Sequence, residues 1–286
     1  MEPLKQILPI LLSGSLAGLV LTVGLKSSPG DLVYVLRRRK LFLKAMLAVE
    51  IIPPLAAALL VWLLPIDPLV KAGILLMAIS PVPPLVPGQE LGVGGRKEFA
   101  YGLYVAMVLL SILVVPLAFG LASRVFGEGK TIPFSLIAMT VLTGVIVPLG
   151  VGTAINRLAP RFAQRAGPWV YKISMVLVLL AFVPIIVAAW PAIVALVGNG
   201  TMLAMVVLVV ATLAGGHLLG GPEPIDRMTL AVASSVRHPG LAMLLANASF
   251  QDKRVSAAVL LYLLVGLVVG TVYKQIFKRR LPTASA

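Results

Sequence analysis

Long apolar runs recur along the whole chain, and short clusters of glycine, proline and charged residues interrupt them. Several runs reach about 18 residues or more, the length that an α-helix needs to cross the hydrocarbon core of a bilayer. Glycine and proline clusters mark the ends of such segments. The pattern therefore predicts nine membrane spans, at residues 6–26, 41–64, 68–92, 97–123, 133–156, 168–197, 201–221, 226–250 and 254–277.

Composition agrees with this pattern. Of the 286 residues, 59% are hydrophobic and only 12% are charged, and the mean hydropathy is +1.04. In a soluble domain, about a quarter of the residues are charged. We predict an all-α polytopic membrane protein with one transmembrane domain, residues 1–286. No small-residue cleavage motif follows the first span, which we interpret as a helix and not as a removable signal peptide.

The formal net charge is +14, and the distribution of the basic residues between the two sides of the membrane predicts the orientation. Most basic residues fall in connections on one side of the nine spans, including the clusters at 37–40, 157–165 and 278–280, whereas Lys130 and a few others fall on the opposite side. An excess of lysine and arginine marks the cytoplasmic side. We therefore expect the amino terminus outside and the carboxyl terminus inside, in the cell (inner) membrane. The basic clusters are typical of topology anchors and contacts with the lipid surface.

The same features exclude several classes of function. Basic residues are not interleaved with aromatic ones, as a nucleic-acid groove requires, so we expect no nucleic-acid partner. The chain has no cysteine and only two histidines, so we expect no metal centre. No catalytic motif of a membrane protease or transferase is present, and we predict that the protein is not an enzyme and has no cofactor.

Two spans contain helix-breaking residues at membrane depth. The third has "SPVPPLVPGQE" at 80–90, with breaks predicted at Pro84, Pro87 and Gly88. The eighth has "SSVRHPGLA" at 234–242, with breaks predicted at Pro239 and Gly240. Proline removes a backbone donor, and unpaired backbone is tolerated in a membrane only inside the protein or beside a wet cavity. The alternative is that both are ordinary proline kinks.

Interrupted helices at matching places of two halves are typical of inverted-repeat transporters. The first repeat is predicted at residues 1–126, with four helices, and the second at 127–286, with five. If the first repeat lacks an opening helix, both breaks fall in the fourth helix of a five-helix unit.

The segment "GLKSSPGDLVYVLRRRKLFL", an apolar run with Pro53-Pro54 and a broken helix follow one another in an order that resembles the bile acid:sodium symporter superfamily. "SSVRHPGLAMLLANASF" resembles the motif of the family's second crossing helix. The resemblance implies a core domain with two crossing broken helices and a separate panel domain. It also implies alternating-access transport of bile acids or other organic anions, usually with sodium.

The chain departs from the family at the positions where sodium ligands are expected. The family's polar break in the first crossing helix aligns with residues 86–89, where only Gln89 offers a side-chain oxygen. Hydroxyl ligands of the next helix fall at Gly102 and Ala106, and the second motif's acidic residue and glutamine fall at Ala233 and Arg237. We expect that the usual two-sodium site is lost, although sodium binding by other groups stays open.

Arg237 is the central prediction of the site. A fixed guanidinium can supply the positive charge that sodium otherwise brings, and it either binds an anionic substrate or pairs with Glu50. His238, Gln89 and Ser235 complete the predicted substrate-binding or coupling residues. Proton coupling through a histidine or buried glutamate, an auxin-efflux-type carrier and a non-transporting receptor stay open. The expected partners are the lipid bilayer and a small organic anion.

Overall fold

The described residues, 2–126 and 134–278 of this computed structural model, form helices joined by short connections and contain no strand. The α-helices are α1 (Glu2–Lys26), α2 (Pro29–Arg37), α3 (Arg39–Met46), α4 (Ile52–Leu63), α5 (Pro68–Ile79), α6 (Val86–Gly92), α7 (Lys97–Phe126), α8 (Phe134–Val141), α9 (Val147–Leu158), α10 (Pro160–Ala195), α11 (Thr201–Leu219), α12 (Pro224–Ser235), α13 (Pro239–Ser249) and α14 (Lys253–Lys278). Two π-helical turns, Leu47–Ile51 and Leu142–Ile146, join α3 to α4 and α8 to α9. Lys130 and residues 279–280 of the predicted charge clusters lie outside the described residues.

Each of the nine predicted spans coincides with a helix or a pair of helices within these residues. Among these residues, six continuous helices are long and apolar enough to cross a membrane, and they correspond to the second, fourth, fifth, sixth, seventh and ninth predicted spans. The first predicted span corresponds to α1, and the third and eighth correspond to the pairs α5–α6 and α12–α13. The chain is a multi-pass integral membrane protein, and its all-α fold is confirmed. The sixth span begins at Pro160 instead of 168, because proline fits the first position of a helix and the polar residues after it continue that helix.

The connection between the first two spans contains a helix that the hydrophobic pattern did not predict. Helix α2 makes an angle of 81° with α1. The Asp31 carboxylate accepts hydrogen bonds from the Ser28 amide at 2.8 Å and the Ser28 hydroxyl at 2.9 Å, which ties down the start of the helix. Val35 is buried against α7, while Val33 and Leu36 are 42% and 45% exposed. Such a short amphipathic helix is suited to the surface of a bilayer.

The helices divide into two groups. In the first, α1 packs along α9 and α10. A Cβ atom at Gly24 would lie 2.9 Å from the Gly152 Cα atom, and the reverse substitution gives the same distance, so both glycines allow a close crossing of α1 and α9. In the second group, α5 packs on α14, and α11 packs on α12, α4 and α14. We call the first the panel group and the second the core group, after the two domains that the resemblance implies.

Candidate functional site at the helix crossing

The first break lies between α5 and α6, at residues 80–85. Pro84 is inside it and has no amide hydrogen to donate to the Ser80 carbonyl, four residues earlier. Pro87 and Gly88 do not break a helix: they lie in the first turn of α6, where a missing amide hydrogen has no cost because the first amides of a helix have no partner within it. The break thus ends before residues 86–89, where the resemblance had placed it.

The second break is confined to residues 236–238. Ser234 and Ser235 are the last residues of α12, and Pro239 and Gly240 begin α13 instead of lying in the break. Pro239 is at the first helical position, which its ring geometry favours. The predicted break at 234–242 is therefore correct in place but too long.

The two breaks are joined by hydrogen bonds. The His238 amide donates to the Pro81 carbonyl at 3.0 Å and to the Ser80 hydroxyl at 3.1 Å. The His238 ring stabilises the start of α13, because its Nδ1 atom accepts a hydrogen bond from the Leu241 amide at 3.2 Å. An accepting Nδ1 assigns the ring proton to Nε2. The buried His238 therefore has a structural role at the crossing.

The π-helical turn Leu47–Ile51 brings a third interruption to the same place. Pro53 has no amide hydrogen for the Val49 carbonyl, four residues earlier, and Pro54 has none for the carbonyl of Glu50. The Val49 carbonyl is therefore open to a donor from elsewhere in the protein. π-Helical turns of this kind are frequent at functional sites.

Arg237 binds all three interruptions at once. Its Nη2 atom donates to the Val49 carbonyl at 2.6 Å and to the Ser234 carbonyl at 2.7 Å, and its Nη1 atom donates to the Ser80 carbonyl at 3.3 Å. The side chain is only 3% exposed. A buried cation surrounded by backbone carbonyls from discontinuous helices is the arrangement in which transporters commonly hold sodium. Here the cation is part of the chain.

Glu50 lies near Arg237 but does not form the ion pair that was offered as one alternative. Among the described residues, no Glu50 oxygen lies within 4 Å of an Arg237 nitrogen, and both Nη atoms of Arg237 donate to carbonyls instead. The Glu50 Oε1 atom and the Arg237 Nε atom are buried without a hydrogen-bond partner. Glu50 and Arg237 are thus both buried beside the crossing without a direct contact between them.

Gln89 and Ser235 line a narrow cavity inside the core group, together with Arg237, Tyr262 and Lys274. We call this the core cavity, and about 40 Å³ of it is wide enough for water. The Gln89 side chain accepts a hydrogen bond from the Lys274 ammonium at 3.3 Å. Gln89 and Arg237 therefore line the same cavity, but the side-chain oxygen of Gln89 already accepts a hydrogen bond from Lys274.

Glu90 is a buried residue whose role the sequence understated. Its position near the end of α6 suggested contact with water, but the residue is only 1% exposed, and both carboxylate oxygens are buried without a hydrogen-bond partner. An intramembrane carboxylate inside the protein is a functional candidate by default. Its burial depends on the packing of α6 against α7 and α12, which the sequence pattern does not reveal.

Two further cavities lie between the panel and core groups. The larger, about 700 Å³, is bounded by α1, α10, α13 and α14, and its polar lining includes Asn247, Lys253 and Ser256. The smaller, about 100 Å³, reaches His238 and Pro81 at the crossing. Both share Ser13, Gly240 and Leu244. We call the two together the panel–core cleft.

Comparison with known proteins gives one family. The family model described as "Sodium Bile acid symporter family" matches residues 15–196, and no curated protein matches the chain. The matched range contains the first break and the π-helical turn that includes Glu50. The match ends before Arg237. At the second break, the resemblance to the family therefore depends only on the segment "SSVRHPGLAMLLANASF".

Proposed function

We propose, from the premise that this chain belongs to the sodium bile acid symporter family, that it transports small organic anions by alternating access without the usual two-sodium site. The family consists of transporters, and no enzymatic role is proposed for this chain. Two features of the structure, the coordination of Arg237 and the panel–core cleft, support sodium independence and the proposed class of substrate.

The observation that carries sodium independence is the coordination of Arg237. Sodium is held in such folds by carbonyl oxygens at helix interruptions. Three carbonyl oxygens of this kind, from Val49, Ser80 and Ser234, accept hydrogen bonds from one guanidinium. A guanidinium stays protonated throughout the physiological range. It supplies a permanent positive charge at the crossing, and a sodium ion at the same oxygens would have to displace it against charge repulsion.

The panel–core cleft supports the proposed substrate class. Its larger part falls within the usual size of a small-molecule site, about 300–1,000 Å³. The lining is mostly apolar, with one ammonium group, that of Lys253, and the amide of Asn247 at one end. This combination suits an anion with an apolar body and a carboxylate. Arg237 is not among the lining residues, so we assign it to the charge balance of the crossing and not to direct contact with the substrate.

Glu90 favours a second form of the same function, in which protons drive transport. A charged carboxylate without donors or a paired cation is costly to bury, so Glu90 is suited to carry a proton. If it is the coupling site, uptake by the wild-type protein depends on a pH gradient, and uptake by Glu90→Gln does not. If uptake by the wild type is independent of the pH gradient, proton-driven transport is ruled out.

The proposed function is tested first by thermal unfolding of detergent-purified protein with a panel of organic acids in sodium or potassium chloride. A ligand that binds the folded state raises the apparent unfolding temperature by mass action. We expect an amphipathic carboxylate to stabilise the protein equally in both salts. Lys253→Gln should weaken this effect, whereas Lys71→Gln, a matched change outside the cleft lining, should not.

Uptake of the stabilising acid into proteoliposomes then separates a transporter from a receptor. Saturable uptake that Lys253→Gln slows supports the proposal. Binding without uptake would identify a non-transporting receptor, and stabilisation that requires sodium would overturn the sodium-independent mechanism.

A further inference from the structure

A basic cleft of about 670 Å³ lies where the α2–α3 connection meets the turn between α11 and α12. It is separate from the core cavity and the panel–core cleft. We define the basic cleft by its lining, which comprises Arg37, Arg38, Arg39, Lys40, Leu41, Lys44, Arg96, Gly220, Gly221, Pro222, Glu223 and Asp226.

The charges of the cleft are unbalanced. Six of the lining residues are cationic and two are acidic. Both acids face Arg96: its Nη2 atom lies 3.8 Å from Glu223 Oε2, and its Nε atom lies 4.0 Å from Asp226 Oδ1. Within the described part of the chain, no carboxylate lies within 4 Å of Arg37, Arg39, Lys40 or Lys44. The α2–α3 wall therefore presents exposed cations without paired acids.

The position of the cleft indicates what could neutralise these charges. Helix α2 lies at 81° to the spanning helix α1 and exposes Val33 and Leu36. A helix of this kind places its apolar side chains at the boundary between headgroups and acyl chains. The cations at its end and directly after it, from Arg37 to Lys40, are then at the depth of lipid phosphates.

The opposite wall belongs to the transport core. The turn at Gly220–Gly221 leads into α12, whose last residue, Ser235, lies next to the break that contains Arg237. Gly221 has a φ angle of +92°, which favours glycine, and a Cβ atom at Gly220 would lie 2.8 Å from the Arg227 amide nitrogen. The turn is therefore held close to α12, and a ligand in the cleft would connect α2 and α3 with the start of this half-helix.

We propose that the basic cleft binds a phosphate-bearing anion, and that its depth favours the headgroup of an anionic phospholipid over free phosphate. Arginine side chains bind phosphate oxygens through two parallel hydrogen bonds. Clusters of four to eight cations beside a spanning helix are typical of sites for anionic lipids. Such a ligand stabilises the packing of α2 and α3 against the start of α12.

The test compares phosphatidylglycerol, phosphatidylcholine and inorganic phosphate as additives to the purified full-length protein at constant ionic strength. The readout is the apparent unfolding temperature, which needs no transported substrate. The cleft variant is Arg37→Gln/Arg39→Gln/Lys40→Gln. The matched control, Arg157→Gln/Arg161→Gln/Arg165→Gln, removes three exposed charges from the end of α9 and the start of α10.

We expect phosphatidylglycerol to stabilise the wild type and the control variant more than phosphatidylcholine does. For the cleft variant, the phosphatidylglycerol concentration that gives half of the effect should rise at least about tenfold, since each cation near an anionic surface contributes roughly a factor of five in affinity. Stabilisation by the lipid alone identifies a headgroup site, and equal, cleft-dependent stabilisation by inorganic phosphate identifies a site for the phosphate group itself. No difference between the two lipids, or an equal loss in both variants, would overturn the proposal.

Discussion

The Nη2 atom of Arg237 lies 2.6 Å from the carbonyl oxygen of Val49, although 188 residues separate the two in the chain. This contact joins the π-helical turn of the second span to the break in the eighth span. The Ser80 carbonyl brings the break of the third span to the same guanidinium. The three interruptions thus share one cation.

Replacing Arg237 with glutamine should destabilise the protein strongly. Three carbonyls lose charged donors, and each buried polar group left without a partner costs about 1–3 kcal/mol. The control is Arg254→Gln, because Arg254 forms exposed ion pairs with Asp252 and Asp67, and such pairs contribute little. Thermal unfolding in detergent should show a large fall in unfolding temperature for Arg237→Gln and a small one for Arg254→Gln. Equal falls would show that the carbonyl contacts of Arg237 are not important.

The contribution of Arg237 to the stability of the protein should depend on Pro53. The substitution Pro53→Ala restores an amide hydrogen four residues after Val49, so this carbonyl gains a donor within its own helix. Removal of Arg237 should then cost less in Pro53→Ala than in the wild type. Unfolding temperatures of the two single variants and the double variant measure the coupling. The matched pair uses Pro116→Ala, a proline inside α7, which should show additive effects.

If Arg237→Gln lowers the unfolding temperature equally in the Pro53→Ala and Pro116→Ala backgrounds, the contact between Val49 and Arg237 contributes little to stability. The arrangement of the crossing would then depend on the remaining two carbonyls.

Glu90→Gln should retain the stability of the wild type. Both oxygens of Glu90 are buried without donors, so a neutral amide of nearly the same shape removes the cost of a buried charge. Glu90→Lys should unfold at a much lower temperature, because it places an unpaired cation in the same site. Thermal unfolding of the two variants at neutral pH checks this. A marked fall for Glu90→Gln would mean that the carboxylate is charged and has a partner.

Gly152→Ala should weaken the contact between α1 and α9. The added methyl group would lie 2.9 Å from the Gly24 Cα atom, which belongs to backbone and cannot move aside easily. Gly150→Ala, two residues earlier in α9, meets no atom within 4 Å and should be neutral or slightly stabilising, by up to about 1 kcal/mol. Comparison of their unfolding temperatures tests the close crossing, and a tolerated Gly152→Ala would contradict it.

The sequence predicts the spans well because membrane helices carry a strong apolar signal of fixed length. It also locates both breaks within a few residues, because each combines proline with glycine and an ionisable residue, whereas Pro116 and Pro184 lie inside continuous helices. It does not distinguish a proline that breaks a helix from one that starts it, and Pro87 and Gly88 were wrong for this reason. Helix α2 was missed because its charged end suggested a loop, although the Ser28 and Asp31 spacing is a recognisable helix start.

The partners of the site residues could not be predicted in the same way. Arg237 stands out as the charged residue inside a span, but its acceptors are backbone carbonyls, which look alike at every position of a sequence. The prolines at 53 and 84 indicate which carbonyls lack helical donors, and that signal was available. The burial of Glu90 and the distance that separates Glu50 from Arg237 depend on the packing of helices distant in the chain.

The central claim is that Arg237 takes the position of a bound sodium ion. It is tested most directly by the apparent unfolding temperature of the wild-type protein, titrated with sodium chloride and with potassium chloride at constant ionic strength. The account predicts the same temperature in both salts over the whole titration. A saturable rise with sodium that potassium does not reproduce would contradict it, because a bound sodium ion stabilises the folded state by mass action.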